Sequence, residues 1–513
     1  MVESRSQRRG GGRLGRIAQK AAHIPTELRP VRPGMSGGHY RPLTEGQCQD
    51  VYNTAIDLLE TVGMGSPIRE FVDVVTAAGG WADGDRLYFP RGVVEGAIAT
   101  AAKEFVWHGW DDDRSLEIGG DRVHLGTGGA AVLVLDHETR QFRPSTSRDL
   151  YDMARLVDTL DNIHFFVRTC VTRDIEDFYD VDLNTAYVCA AGTTKPIGSS
   201  FFNRQHVYEI VDMYDHMLGG EGRFAKRPFM VANNTFVVPP LRFAEESAEC
   251  MVAQVETGMP IDLLSAGQAG ATSPAALAGS LAQALAECLA ALTVVNLMKP
   301  GHPCIMGLWP FVSDLRTGAM SGGGGEEGVL NAAAAQVVNW LGLPSGVAAG
   351  MSDSKVPDNQ AGYEKGINIT LAAQAGANCI YESAGMLASL LAVSPEALVI
   401  DNDMMGSIKR TIRGIEINPD TLSRPVFSEV VAGPGHFLGH SQTLEMMNTE
   451  YIYPDIGDRR TPTEWTDAGA LDMASAAHAR VQSILASHHP GHISPEVDAS
   501  VRERWPMIVD LSG

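Results

Sequence analysis

A chain of 513 residues, 44% hydrophobic and 20% charged, has the make-up of a folded protein with room for one large barrel and appendages or for two or three domains. A formal charge of −22 argues against nucleic acid as a general partner, since neutralising phosphates needs a basic face. No run reaches the ~18 consecutive apolar residues of a membrane span, and the N-terminus lacks the apolar core of a secretory signal. Seven scattered cysteines without a Cys-x-x-Cys pair predict free thiols in a reducing cytoplasm rather than disulfides or a cysteine-built zinc cluster.

Residues 1–35 gather Arg5, Arg8, Arg9, Arg13, Arg16, Lys20, Arg29 and Arg32 around three glycines, and read as a flexible basic arm, free or laid on the acidic surface of a neighbouring subunit. Residues 36–120 predict a small helical unit. Apolar positions recur at helical spacing over 43–62 (Val51, Ile56, Leu58, Leu59, Val62), 68–77 and 91–102, with a short strand at 86–89.

From 121 to 416, eight apolar strand-like runs alternate with helical patterns. The runs are 124–126 (extended by 130–135), 163–170, 195–201, 227–233, 261–267, 303–310, 343–350 and 379–385, with starts about 30–45 residues apart. The helices between them are predicted at 147–160, with Ser147 or Thr146 as N-cap, then 177–190, 204–217 and 242–256. They continue at 273–297, with Ser273 and Pro274 at cap and first position, then 327–341, 358–375 and 395–415. A doubly wound open sheet gives the same alternation, but eight successive units favour closure into an α/β TIM (β/α)8 barrel. After Glu416 the alternation stops, and 417–513 is expected to cap one end of the barrel. Gly322, Gly323, Gly324 and Gly325 suggest a flexible lip with exposed N–H groups, although their spacing does not match a phosphate-binding loop.

Barrel enzymes place their chemistry at the C-terminal ends of the strands. The residues expected there are poor in acids and bases and rich in rings, amides and hydroxyls. Phe201, Trp309, Phe311 and Tyr381 around the single carboxylate of Glu382 have the composition that holds a quaternary ammonium, each ring face offering a cation–π contact of ~0.5–2 kcal/mol. The same rings also suit plain core packing. Glu382 either balances a substrate cation or pairs with an arginine such as Arg168. Further along, His436 and His440 stand four apart with Glu445 nearby, a spacing that binds zinc when it falls on a helix. The flanking glycines argue for a polar lid instead.

Three stretches carry a family resemblance. They are 351–361 (Met-Ser-Asp-Ser-Lys-Val-Pro-Asp-Asn-Gln-Ala), the tail from Gly435-His436-Phe437-Leu438-Gly439-His440 through Asp458-Arg459-Arg460, and Thr139–Arg143 leading into Thr146–Leu150. Together they resemble the trimethylamine methyltransferase family over about residues 42–495. The resemblance implies a barrel that moves a methyl group from an amine nitrogen to the cobalt of a corrinoid (cob(I)alamin becoming methylcobalamin) carried by a partner protein, with no metal of its own. Founding members carry pyrrolysine, here expected in or near Lys355 and Val356. This chain has ordinary residues throughout, so it is similar to the non-pyrrolysine branch, whose characterised members demethylate quaternary amines such as glycine betaine.

The expected site then has Glu382 and His436 as catalytic residues. Phe201, Asn234, Trp309, Phe311, Tyr381 and Arg168 are expected to bind substrate, and Gln268, Ser352, Asp353 and Lys355 to face the corrinoid. A quaternary ammonium leaves as a neutral amine and needs no proton, so catalysis reduces to positioning in a dry site. A substrate carboxylate would need a donor such as His436, Asn234 or Arg168. A homo-oligomer is also expected. Competing readings are another N-methyl substrate (proline betaine, carnitine), a folate-linked carrier, a binding barrel without turnover, and a zinc hydrolase built on His436 and His440.

Overall fold

The computed structural model describes residues 24–511. Eight parallel strands form the centre: β1 (Arg122–Leu125), β2 (Phe166–Val167), β3 (Ile197–Ser199), β4 (Met230–Ala232), β5 (Ile261–Ser265), β6 (Cys304–Leu308), β7 (Ser345–Ala348) and β8 (Cys379–Tyr381). Each pairs in parallel with its successor from β2 to β8, and β8 pairs with β1 through Cys379 and His124. The bridge between Gly126 and Phe165 joins β1 to β2 and closes the ring. β2 to β8 lie inside predicted runs, β1 begins two residues before its run, and the expected extension of that run to 135 is corrected. Gly129 (φ +102°) and Ala130 (φ +48°) turn the chain out of the barrel, and Leu133–Leu135 joins a separate sheet at the rim.

The outer ring consists of α1 (Ser147–Asp158), α2 (Phe178–Gly192), α3 (Arg204–Met217), α4 (Glu245–Thr257), α5 (Leu277–Met298), α6 (Gly325–Trp340), α7 (Asn359–Gln374) and α8 (Pro395–Arg413). Local chemistry sets several starts. Thr146 and Asp149 form a capping box at α1, Asp358 caps α7, and Ser394 followed by Pro395 opens α8. The expected cap of α5 is corrected: Ala276 occupies that position, and Ser273 spends its hydroxyl on Ser280 (2.7 Å). The 22-residue α5 is apolar nearly all round because it is covered on two sides. It packs on β5 and β6 within and on helices Glu45–Thr61, Arg69–Ala77 and Arg91–Thr100 without. These three are the predicted N-terminal helices.

The hairpin Glu104–Trp107 with Leu116–Gly119 closes the N-terminal end of the barrel. Its Trp107 ring lies in the barrel core and donates Nε1–H to the carbonyl of Phe229, just before β4. Of the basic arm, residues 1–23 lie outside the described residues. Residues 24–35 are ordered, ending in Met35–Ser36, which pairs antiparallel with β1.

The segment after 416 was expected over one end of the barrel; its last helices are fastened to the flank, while Asn448 and Tyr451 to Asp455 stand with Asp161 and Asn162 of the α1–β2 loop at the N-terminal end. Helix Met473–Ser487 packs on α8 and α1, and Pro495–Arg504 packs on α3. Asp403 of α8 accepts from the backbone N–H groups of Asp455, Ile456 and Gly457. Buried Arg155 of α1 donates to the carbonyls of Leu485 (2.7 Å) and His488 (2.7 Å). The seven cysteines are all free and buried.

Candidate functional site

A column of rings fills the barrel axis. Trp107 on the floor touches Phe165 (centroids 4.9 Å apart), Phe165 meets Tyr381 (5.2 Å), Tyr381 meets Trp309 (5.1 Å), and Trp309 meets Phe311 (6.4 Å) near the C-terminal mouth. Glycines make this possible. A Cβ on Gly126 would fall 2.1 Å from the Phe165 ring, and one on Gly346 would fall 3.1 Å from the Tyr381 ring. Beside the column, Asp262 on β5 accepts from Asn233 (3.0 Å) in space left by Gly307. Burial pushes the Asp262 carboxyl up to about 8, opposed by that hydrogen bond.

Above the column lies a cavity of about 230 Å³. Trp309, Phe311, Leu264, Ala266, Val167 and Leu390 form its apolar wall, and Arg168, Ser199, Ser200, Asn233, Thr235 and Glu382 its polar one. Among the described residues no histidine, lysine or cysteine lines it. Glu382 sits directly after β8 with φ +59°, a left-handed conformation that costs a non-glycine residue energy. Its turn is accommodated by Gly350, whose Cβ would fall 2.6 Å from Ser383 Cα. Burial pushes the Glu382 carboxyl up to about 8. Its Oε2, Trp309 Nε1 and Asn233 Oδ1 have no hydrogen-bond partner among the described residues. Behind Glu382, on α6, lies Glu327, also buried and with both oxygens unpartnered; burial and then the charges of Glu382 and Asp353 raise its carboxyl further. The Arg168 guanidinium donates to Ser200 Oγ (2.5 Å), and burial lowers its proton affinity, opposed by the charge of Asp182.

The mouth is bounded by loop sheets. Met386–Leu387, Ala392–Val393, Leu133–Leu135 and Phe142–Pro144 form one, and Gln268–Ala269, Phe311–Ser313 and Met320–Ser321 the other. In the hairpin between 387 and 392, Ala388, Ser389 and Leu390 are all left-handed (φ +51°, +52°, +75°). Asp353 ties the middle one to the neighbouring loop: its carboxylate accepts from Ser389 Oγ, Ser321 Oγ (2.8 Å) and Gly322 N (2.7 Å). Leu390 lines both the inner cavity and an outer cleft of about 1140 Å³ that also involves Asp353 and Lys355. A further cavity of about 520 Å³ includes Asp161 and Asn162 of the α1–β2 loop, at the other end of the barrel.

Four of the predicted residues line the inner cavity or its mouth: Arg168, Trp309, Phe311 and Glu382. Tyr381 packs beneath Trp309 and is fully buried. No ion pair joins Arg168 to Glu382; each faces the cavity separately. Asn234 and Phe201 stand outside the lining. Asn234 Nδ2 donates to the Phe201 carbonyl (2.7 Å) and Asn234 Oδ1 accepts from Gln254 (3.1 Å), so its neighbour Asn233 is the amide at the cavity. Asp353 and Lys355 border the outer cleft, Gln268 lies in the rim sheet, and Ser352 is buried, donating to Glu364 (2.6 Å).

His436 is exposed in a loop, and His440 begins helix Ser441–Met446 as its N-cap, accepting from Gln442 N (3.1 Å). The two histidines therefore share no helix face. Gly322 and Gly323 are packed rather than a free lip, a Cβ on Gly323 falling 2.3 Å from the Glu364 carboxyl carbon, whereas Gly324 caps α6 and Gly325 opens it exposed. Asp262, Glu327 and Leu390 were missed. The lone acid within the apolar run at 261–265 was the available signal for Asp262, whereas nothing local marks Leu390.

The model of the family described as trimethylamine methyltransferase (MTTB) matches residues 8–504. The chain is similar to glycine betaine methyltransferase of Desulfitobacterium hafniense strain Y51, 29% identical over 464 residues, covering 90% of this chain and 96% of the relative. It is also similar to trimethylamine methyltransferase MttB1 of Methanosarcina acetivorans, 32% identical over 433 residues, covering 82% and 84%. The crystal structure of the Methanosarcina barkeri monomethylamine methyltransferase (MtmB) shares the fold, with a TM-score of 0.52 at 11% identity over 92% of this chain and 91% of that one.

Proposed function

The chain belongs to the trimethylamine methyltransferase family, and from that premise we propose that this methyltransferase takes its methyl group from a quaternary amine of the glycine betaine type and delivers it to the corrinoid of a partner protein. The observation that carries the reading is the inner cavity itself. It offers the Trp309 and Phe311 rings and one buried carboxyl and, among the described residues, no histidine, lysine or cysteine to move a proton or attack. That set suits a substrate that arrives charged and leaves neutral.

The partner's reduced cobalt supplies the nucleophile and receives the methyl. When the N–CH₃ bond breaks, its electron pair stays on nitrogen, and the product is a neutral tertiary amine. The chain's residues have three tasks. Trp309 and Phe311 hold the ammonium by their faces and exclude water. Glu382, ionised when the cation is bound, balances its charge while the substrate is quaternary and no longer does so once it is neutral. The walls keep one N–CH₃ bond directed toward the mouth, beside the outer cleft of about 1140 Å³ bordered by Asp353 and Lys355.

The test is incubation of the purified protein with glycine betaine and chemically reduced cobalamin. Dimethylglycine and methylated cobalamin appearing together, with trimethylamine giving neither, is the expected result. No turnover across a panel of betaines would leave only a binding barrel.

A further inference from the structure

The inner cavity contains a positive group as well as a negative one. Arg168 stands at the end of β2, and its guanidinium makes one hydrogen bond, to Ser200 Oγ (2.5 Å). Among the described residues no carboxylate lies within ion-pair distance of it, 4.0 Å. The opposing charge it feels most is Asp182, which already accepts from His206 Nδ1 (2.7 Å) and Phe202 N (2.8 Å). A guanidinium has five N–H donors in a planar fork, so most of this one is uncommitted. An arginine without a counter-charge is expensive in a desolvated site unless a ligand completes it.

Topology fixes where that charge stands. In a closed ring of eight strands, β2 and β6 are four places apart, so Arg168 stands across the barrel from Trp309 and Phe311, which follow β6. Glu382, after β8, lies two places from either. A ligand spanning the cavity therefore meets rings at one end and a cationic fork at the other, with the Glu382 acid between them. At about 230 Å³, the cavity falls below the usual ~300–1,000 Å³ of sites for larger ligands.

We propose that Arg168, steadied by Ser200, is a carboxylate subsite, so that the chain selects small quaternary amines bearing a carboxylate a short spacer away from the nitrogen. The ammonium end rests on the function proposed above; the carboxylate end stands on Arg168 alone. Arginine suits it because the fork binds a carboxylate through two parallel hydrogen bonds, which fixes the ligand's angle as well as its place. With one end clamped, the trimethylammonium is held in a single orientation rather than free to tumble within the cage.

Calorimetry on the intact protein with three ligands separates the two ends: glycine betaine, choline (a trimethylammonium without carboxylate) and 3,3-dimethylbutyrate (the uncharged-carbon analogue of betaine). Wild type should bind glycine betaine about 10- to 100-fold more tightly than choline. Arg168→Gln should abolish that preference while leaving choline affinity within about twofold, which also reports an intact fold. Arg168→Lys, which keeps the charge and loses the fork, should fall between them. Equal affinity of wild type for betaine and choline, or an equal loss of both in Arg168→Gln, overturns the subsite. If dimethylbutyrate binds as tightly as betaine and loses affinity in Arg168→Gln, the subsite stands and the ammonium reading fails instead.

Discussion

Glu382 is the acid whose protonation can be read most directly, because burial alone lifts it from 4.5 to about 8. The folded chain keeps this proton over a range where the unfolded chain has lost it. Its effect on stability is therefore level below about pH 4.5 and turns increasingly unfavourable as pH rises toward about 8. Glu382→Gln should flatten part of the stability loss across that window in denaturant titrations of the free protein; an unchanged slope would mean that the carboxyl is not desolvated. A bound cation favours the ionised form, so ammonium affinity should climb with pH up to about 8 in wild type and stay level in the variant. For the rings, Trp309→Ala should weaken betaine binding by about 1–2 kcal/mol, roughly 5- to 30-fold, in titration calorimetry. Unchanged affinity would remove Trp309 from the cage.

At this scale the sequence was legible where a residue's type and its place at a strand end agreed, as for Trp309, Phe311, Glu382 and Arg168. Neighbour choice failed where strand pleat decided it. Asn233 and Asn234 are one residue apart, and alternation sends one to the cavity and the other to the Phe201 backbone.

Among the elements, the hairpin at 386–393 is the piece that stores strain and separates two spaces. Three consecutive left-handed residues without glycine persist only because surrounding bonds fix them: Ala388 N and Ser389 N donate to the carbonyls of Ser354 and Ser352, and the Asp353 carboxylate accepts from Ser389 Oγ and from the neighbouring Ser321 and Gly322. Asp353→Ala should leave the barrel strands as protected as before and speed amide hydrogen exchange in 386–393 by about 10- to 100-fold. Uniform exchange across wild type and variant would show that the hairpin holds itself. The eight strands and their helices were readable because hydrophobic runs and caps are local signals. The rim sheets were not, since Leu133–Leu135 pairs with residues more than 250 positions later in the chain, Ala392 and Val393. No window of sequence contains both partners.

For the whole molecule, the barrel is held between an N-terminal helical layer on α5 and a C-terminal strap on α8, α1 and α3. Arg155 is the most committed link, 1% exposed and bonded to backbone carbonyls more than 300 residues away. Arg155→Leu should lower unfolding free energy by about 2–3 kcal/mol in chemical denaturation, because it leaves those carbonyls buried without donors. A change below about 0.5 kcal/mol would make the strap an ornament rather than a support.

The claim that unites these scales is that the molecule grips a cation for an external nucleophile and performs no proton chemistry. Glycine betaine carrying ¹³C in its N-methyl groups tests it most directly, incubated with the protein and reduced cobalamin and followed by ¹³C NMR. The account predicts one labelled methyl on cobalt for each labelled dimethylglycine formed. Label that remains wholly on betaine, or that appears as formaldehyde or methanol, would contradict it.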